Sequence, residues 1–396
     1  MQKYQNWLIA GFMIVFVMQL RVAKLSSSVA NKIQIALAEK NESYSKQLQI
    51  LKTLRDCSIM ENYSVEGYVG SGQGTAVVDV TQIDTGLKYV AKVVLDIDNS
   101  YSRCRKEEII EKLSNDGISY VNKFIQKKRF TDRIQTEDFY SCVLILEKAG
   151  EALDKNLLFP KFDGKSKIEI QNTKIENSKK LVRFFGRVIQ SFAELHFKAK
   201  VLHGDIKPDN IMVNKKEMNN GTIDLIPVII DFGLRLVNTS GNEKKDEQLR
   251  YAPDFRPLEM TGGEKIKPED EKAFAETWAE KFKNFRYSKD FVEDVYALGK
   301  TIEVVIVNNE KYIDRTQCEI SKLLAISNQM MQPKQQIDSS NPDKPHALRP
   351  NMKVVLRDFI SKMNECSQDK PDILNQEFLF QANKSLEELD KLFPII

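Results

Sequence analysis

Apolar positions change their period in a fixed order along this chain. Between Tyr63 and Leu95 they alternate with polar ones in three runs, YSVEGYVG, TAVVDVTQ and LKYVAKVVL, which predicts three antiparallel strands with a glycine-rich first turn. From Ser102 to Ser114 the spacing becomes helical, with Ile109, Ile110 and Leu113 on one face, and strand candidates follow at Val121 to Gln126 and Cys142 to Leu146. Residues Asp154 to Lys180 are charged and lysine-rich without steady periodicity, which reads as an inserted loop or a weak helix. A broad apolar stripe of Val182, Phe185, Val188, Ile189, Phe192 and Leu195 then predicts a helix over Leu181 to Ala199. Past Asp231 the pattern is mostly helical, with candidates at Asp270 to Phe285, Val292 to Val307, Lys353 to Met363 and Gln376 to Phe393, and loops at Thr261 to Pro268 and Gln332 to Pro350.

Two segments precede the first strand. Trp7 to Leu20 is an apolar run broken only by Gln19, the length of a signal-peptide core; extended to Leu25 it gives a helix of roughly 28 Å, enough to cross a bilayer. Arg21, Lys24 and Lys32 follow the run against Lys3 before it, so the positive-inside rule favours a membrane anchor through residues 7–25 with the rest facing the cytosol. A cleaved signal for the secretory pathway, with Ser28-Val29-Ala30 as the small-residue site, is the alternative, and sequons at Asn41, Asn62, Asn220, Asn238 and Asn383 do not decide between them. Val29 to about Met60 reads as helix and linker, with Leu48, Ile50, Leu51 and Leu54 forming a partial stripe that packs on the following domain or lies along a stalk.

Composition narrows the functional classes. The 396 residues are 42% hydrophobic and 29% charged, with a net charge of +3 and both signs interspersed, so a globular protein of two lobes is expected and a nucleic-acid partner is not. The five cysteines (Cys57, Cys104, Cys142, Cys318, Cys366) are scattered without C-x-x-C spacing, which predicts neither a disulfide framework nor a zinc site and suits a reducing compartment.

Chemistry concentrates in three stretches. In Val69-Gly70-Ser71-Gly72-Gln73-Gly74-Thr75-Ala76-Val77, glycines between two strands let backbone N–H groups approach phosphates. Lys92 sits among Val90, Ala91, Val93 and Val94, a setting that would partly bury its cation without a partner. His203-Gly204-Asp205-Ile206-Lys207-Pro208-Asp209-Asn210, followed by Asp231-Phe232-Gly233, brings together a carboxylate, a cation and two oxygen ligands for magnesium, the groups that phosphoryl transfer needs.

These stretches resemble the protein kinase superfamily of the eukaryotic, serine/threonine-specific type. The resemblance covers roughly Tyr63 to Phe393, and its spelling around Glu147-Lys148-Ala149-Gly150-Glu151-Ala152-Leu153 and Ile229 to Leu234 is closest to the casein-kinase-one-like group. It implies an α+β, two-lobed fold: a small five-stranded antiparallel lobe with one helix over 63–147 and a larger, mainly α-helical lobe over 148–396, with insertions near 154–180, 261–290 and 330–350. Residues 1–28 and 29–62 would be the apolar segment and the linker, and a monomer is expected. It implies ATP and Mg2+ as cofactors and a protein substrate. Gly70, Gly72, Gly74 and Val77 would cover the phosphates, Lys92 would contact them, and Glu147 would begin the hinge that receives adenine. Lys92 would pair with a helix glutamate, for which Glu107, Glu108 and Glu111 are candidates and Glu107 is chosen. Asp205 would orient the substrate hydroxyl, Lys207 would balance charge, and Asn210 with Asp231 would hold the metal.

Phe255-Arg256-Pro257-Leu258-Glu259 resembles the end of the activation loop, with Lys370 as partner of Glu259, and Asp294 resembles the aspartate that braces the catalytic loop. Several positions depart from the family pattern. Thr75 stands where the third glycine is usual, and no threonine lies between Gln248 and Arg256. Gly204 replaces the usual arginine, which argues against control by phosphorylation at Thr239 or Ser240 and keeps a small-molecule phosphotransferase open; a nucleotide-binding pseudokinase is the other alternative.

Overall fold

A computed structural model describes residues 25–40, 42–72, 74–96, 102–134, 137–153, 158–159, 161–218, 221–232, 235–236, 255, 292–332, 335–336, 346–347, 349–367 and 373–392. The apolar run Trp7 to Leu20, the helix expected at 270–285 and the expected insertion at 261–290 lie outside them. Among the described residues no helix is long and apolar enough to cross a membrane. The chain divides into one unit of residues 1–114 and 122–148 and a second of 115–121 and 149–396.

The first unit is built on a five-stranded sheet of order β1-β2-β3-β5-β4, all neighbours antiparallel. Its strands are β1 (Tyr63–Gly72), β2 (Thr75–Gln82), β3 (Lys88–Asp96), β4 (Phe124–Ile134) and β5 (Glu137–Glu147). Alternation gives each strand two faces. One face, with Ala76, Val78, Val80, Ala91, Val93, Leu95, Val143 and Ile145, is buried under two N-terminal helices, α1 (Ser27–Glu39) and α2 (Tyr44–Asp56), through Ile33, Leu37, Ile50 and Leu54. Both helices start at a serine whose hydroxyl accepts a backbone N–H, Ser26 from Val29 and Ser43 from Lys46, so each first turn is capped. A buried hydroxyl contact of 2.9 Å between Thr53 and Ser141 ties α2 to β5. Both α1 and α2 are therefore packed on the sheet rather than forming a solvated stalk.

The fourth strand starts later than expected. Val121 makes a single parallel bridge to Ile229, and β4 runs from Phe124 to Ile134 as one arm of a long hairpin with β5. The helix expected over Ser102 to Ser114 is two short pieces, α3 (Ser102–Glu107) and α4 (Ile109–Asn115), interrupted at Glu108.

Cysteine pairing corrects the sequence expectation. Cys104 of α3 is bonded to Cys142 of β5 and Cys318 to Cys366, with Cα–Cα distances of 5.9 and 5.7 Å; buried Cys57 is free. Partners 38 and 48 residues apart are brought together by the fold, which spacing rules do not report. Such bonds persist in oxidising surroundings, so the expectation of a reducing compartment loses its support.

The second unit centres on α5 (Lys167–Glu194), a helix of 28 residues, every one buried from Leu181 to Glu194. It begins earlier than expected because Ser166 and Glu169 form a capping box, each side chain bonded to the other's backbone N–H. It ends in a π turn, Leu195–Ala199, closed by Lys200 at φ 58°. Two short strands, β6 (Glu151–Ala152) and β7 (Val201–Leu202), flank this helix; β6 joins the hairpin of β8 (Ile211–Glu217) and β9 (Ile223–Ile229), and β7 pairs with β10 (Arg235–Leu236). Further helices among the described residues are α6 (Val292–Asn308), α7 (Cys318–Met330), α8 (Met352–Ser367) and α9 (Ile373–Leu392), with a small ladder of β11 (Gln335–Gln336) and β12 (His346–Ala347) where only loop was expected. The α7 helix was not anticipated, although Ile320, Leu323, Ile326 and Met330 are its buried stripe.

Inside this unit Asp224 on β9 is fully buried between two arginines of α5. Arg183 Nη2 lies 3.1 Å from Oδ1 and Arg187 Nη2 lies 2.8 Å from Oδ2. Burial alone would raise the carboxyl's pKa, but Arg187 and Arg183 outweigh it and hold Asp224 below the usual carboxylate range.

Candidate active site

Each unit carries its own group of chemically suited residues. In the first unit Lys92 lies opposite Val77 on β2 and Leu144 on β5, so all three share the sheet face turned away from α1 and α2. Its Nζ is 2.7 Å from Glu107 Oε1 on α3, and the two side chains are 12% and 17% exposed, so the cation is largely desolvated but paired. Glu108 and Glu111 are engaged elsewhere: Lys127 reaches them at 3.1 and 2.6 Å, and Arg129 Nη2 lies 3.0 Å from Glu108. Burial pushes the Glu108 carboxyl up, but the Arg129 and Lys127 bonds bring it below its ordinary value. The Cys104–Cys142 bond fixes α3 to the sheet within one turn of Glu107.

The glycine-rich turn joins β1 to β2, with Gly70 opposite Val77 and Gly72 opposite Thr75. Thr75, in the place of a third glycine, accepts the Gly72 N–H at 3.1 Å. Gly74 adopts φ 73°, a left-handed conformation, and a Cβ there would collide with the Arg103 guanidinium. Glu147 ends β5; its N–H donates to the Lys123 carbonyl at 2.9 Å and its exposed carboxylate is 3.5 Å from Lys123 Nζ.

In the second unit the loop from His203 to Asn210 runs between β7 and β8. Lys207 Nζ donates to Asp205 Oδ2 at 2.8 Å, and Asn210 Nδ2 donates to the same oxygen at 3.0 Å and to the Asp205 carbonyl at 2.7 Å. One carboxylate oxygen is thereby oriented by a cation and an amide. Asn210 is held by a short 3-10 turn, Pro208–Asn210, whose proline fixes the backbone at its start. The Asn210 carbonyl accepts the Ile230 N–H at 3.0 Å, which places Asp231 next in line. Asp231 has φ 57°, a conformation that aspartate tolerates better than most residues.

Asp294, on the first turn of α6 and fully buried, organises the loop's backbone. It accepts the N–H of His203 at 2.7 Å and of Gly204 at 2.9 Å, and His196 Nε2 lies 3.0 Å from it. Gly204 has φ 77°, so glycine fits a left-handed position in the loop without steric cost. His203 Nε2 is 3.0 Å from the Ile230 carbonyl and its Nδ1 accepts the Asp205 N–H at 3.3 Å, a neutral tautomer with the proton on Nε2. Burial lowers the His203 pKa against the opposing pull of Asp294 and the Ile230 carbonyl. Its ring packs at 5.0 Å from Phe232 and 5.8 Å from Phe192.

His196 was missed in the sequence reading. Its signal was composition, since it is one of only three histidines and precedes His203 by two helical turns' worth of chain. Gly233, Arg256 to Glu259 and Lys370, matched to the family pattern, and Thr239 and Ser240, where control by phosphorylation was not expected, lie outside the described residues. Asn210 and Asp231 supply oxygen donors only, and no cluster of three or more histidine, cysteine or acidic residues able to hold a metal occurs among the described residues. Two protein oxygens suit a hard ion such as magnesium, which keeps water and phosphate ligands, rather than zinc.

The chain is 27% identical over 221 residues to Death-associated protein kinase 2 of Mus musculus, covering 54% of this chain and 52% of that protein. It is 31% identical over 182 residues to serine/threonine-protein kinase prpf4B of Dictyostelium discoideum (44% and 19%), and 26% identical over 198 residues to the carbon catabolite-derepressing protein kinase of Candida glabrata (48% and 27%). It thus spans about half or less of the length of these curated relatives. A family model described as "Protein kinase domain" matches residues 63–275, more than half of the chain and all of the stretch from β1 through Asp231. With an α+β architecture of a five-stranded antiparallel unit and a mainly helical one around that match, the chain belongs to the protein kinase family.

Proposed function

We propose that this kinase transfers the γ-phosphoryl group of ATP to serine or threonine hydroxyls of proteins, in the manner of the casein-kinase-one-like group. The observation that carries the reading is the oriented Asp205 carboxylate, held by Lys207 and Asn210. Asp205 accepts the substrate hydroxyl proton as its oxygen bonds to the γ-phosphorus; the bond to the bridging oxygen breaks and ADP leaves. Lys207 lies close enough to Asp205 to balance charge on the transferred group. Asn210 and Asp231 would hold magnesium, which supplies charge neutralisation on the phosphates. Lys92, kept in place by Glu107, contacts the phosphates, the turn from Gly70 to Val77 covers them, and the chain after Glu147 receives adenine. Serine/threonine specificity is supported by Lys207 in the loop and by the names of the relatives.

The test is incubation of the purified chain with magnesium, γ-labelled ATP and a mixture of proteins, followed by phosphoamino acid analysis. Phosphoserine and phosphothreonine are expected. Label on tyrosine alone, or label that ends only in a small molecule, contradicts the proposal.

A further inference from the structure

The glycine-rich turn is gripped from outside the segment that the family model matches. At the joint between α1 and α2, Glu42 is fixed on both sides: its N–H donates to the Leu37 carbonyl at 3.1 Å, and its carbonyl accepts Gln47 Nε2 at 2.7 Å. Its side chain, 8% exposed and 3.2 Å from Lys46 Nζ, accepts the Gly74 N–H at 3.1 Å. The Gly74 carbonyl in turn accepts the Leu95 N–H at 2.9 Å. Both backbone groups of Gly74 are therefore committed, and its left-handed turn is clamped between the N-terminal helices and β3.

The direction of approach decides what this contact does. The helices cover the sheet face of Ala76, Val78, Ala91 and Val93, whereas Val77 and Lys92 occupy the opposite face. A carboxylate on the Lys92 side would compete with phosphate; Glu42 belongs to the layer on the other side. It is also anchored to a rigid layer, since α2 is joined to the sheet through Thr53–Ser141 and to β4 through Lys52, whose Nζ lies 2.9 Å from Asp132.

We propose that Glu42 is a positioning residue for nucleotide: α1 and α2 form an intramolecular brace that holds the glycine-rich turn in place from the face opposite Lys92. The inference rests on the reading of that turn as the cover over the ATP phosphates. A turn already ordered loses less freedom when phosphate arrives, so the brace raises affinity for ATP without touching the transferred group.

In the full chain, Glu42→Ala should raise KM for ATP about tenfold, the worth of one charge-assisted hydrogen bond, with kcat changed by less than about twofold. Glu42→Gln, which keeps an acceptor oxygen but loses the charge, should raise KM by a smaller factor, about threefold. Hydrogen exchange at the Gly74 amide should quicken in the alanine variant while amides of β3 keep their protection, a readout that needs no nucleotide. If Glu42→Ala fails to fold, the glutamine variant carries the test, with a KM between wild type and a loss. An unchanged KM in folded variants overturns the proposal, and so does a lower KM, which would mark Glu42 as a competitor of phosphate. Absence of nucleotide binding in the wild-type chain would instead count against the function itself, so the two failures are distinguishable.

Discussion

His203 shows how a single side chain couples the site to stability. Its imidazole is neutral, spending Nε2–H on the Ile230 carbonyl and Nδ1 on the Asp205 N–H. Because burial lowers its folded pKa, the unfolded chain takes up a proton below about pH 6.5 that the folded chain refuses. Stability should therefore fall as pH drops through that range, by at most about 1.4 kcal/mol per pH unit from this group. Melting curves at about pH 7.5 and 5.5 check it: His203→Gln should flatten the dependence, and an identical slope in both proteins would contradict the assignment. This loop was legible in the sequence because its contacts are local, Asp205, Lys207 and Asn210 lying within six positions. Glu42 on Gly74 was not legible: 32 residues separate them and no motif joins them.

Elements follow the same division between local and distant causes. The start of α5 was misplaced although Ser166-Lys167-Ile168-Glu169 spells a capping box, because its first turns are exposed and carry no apolar stripe. Tertiary contacts override pattern in β4, whose backbone pairs with β5 while its polar side chains find partners far along the chain, Lys127 and Arg129 on Glu108 and Asp132 on Lys52. The Arg183–Asp224–Arg187 cluster likewise spans about forty residues and joins α5 to the β8–β9 hairpin. Asp224→Asn leaves two buried guanidinium groups short of their counter-charge and should cost about 3–5 kcal/mol in denaturant unfolding. With the carboxyl held below its usual range, that stabilisation is present near neutral pH and is lost as pH falls below about 4, toward the folded pKa. A loss under about 1 kcal/mol would mean that the pair is solvated. The disulfides make a separate claim at this scale. Thiol titration of the denatured, unreduced chain should find one thiol, Cys57, and five would show that α3 is not covalently tied to β5.

For the molecule as a whole, the family match covers residues 63–275, yet each unit also draws support from residues outside that match. In the second unit Asp294 on α6 holds the loop from His203 to Asn210, and in the first unit Glu42, at the joint of α1 and α2, holds the glycine-rich turn. The matched segment is thus supported from outside its bounds, at Asp294 by a residue the family resemblance had named and at Glu42 by one it had not. The central claim is that Asp205 performs the chemistry of protein phosphorylation. Its most direct test is Asp205→Asn in the full chain, measuring transfer from γ-labelled ATP to protein together with nucleotide affinity. The account predicts a fall in kcat of about 10²–10⁴-fold with nucleotide affinity retained; a variant that transfers phosphate at the wild-type rate would contradict it.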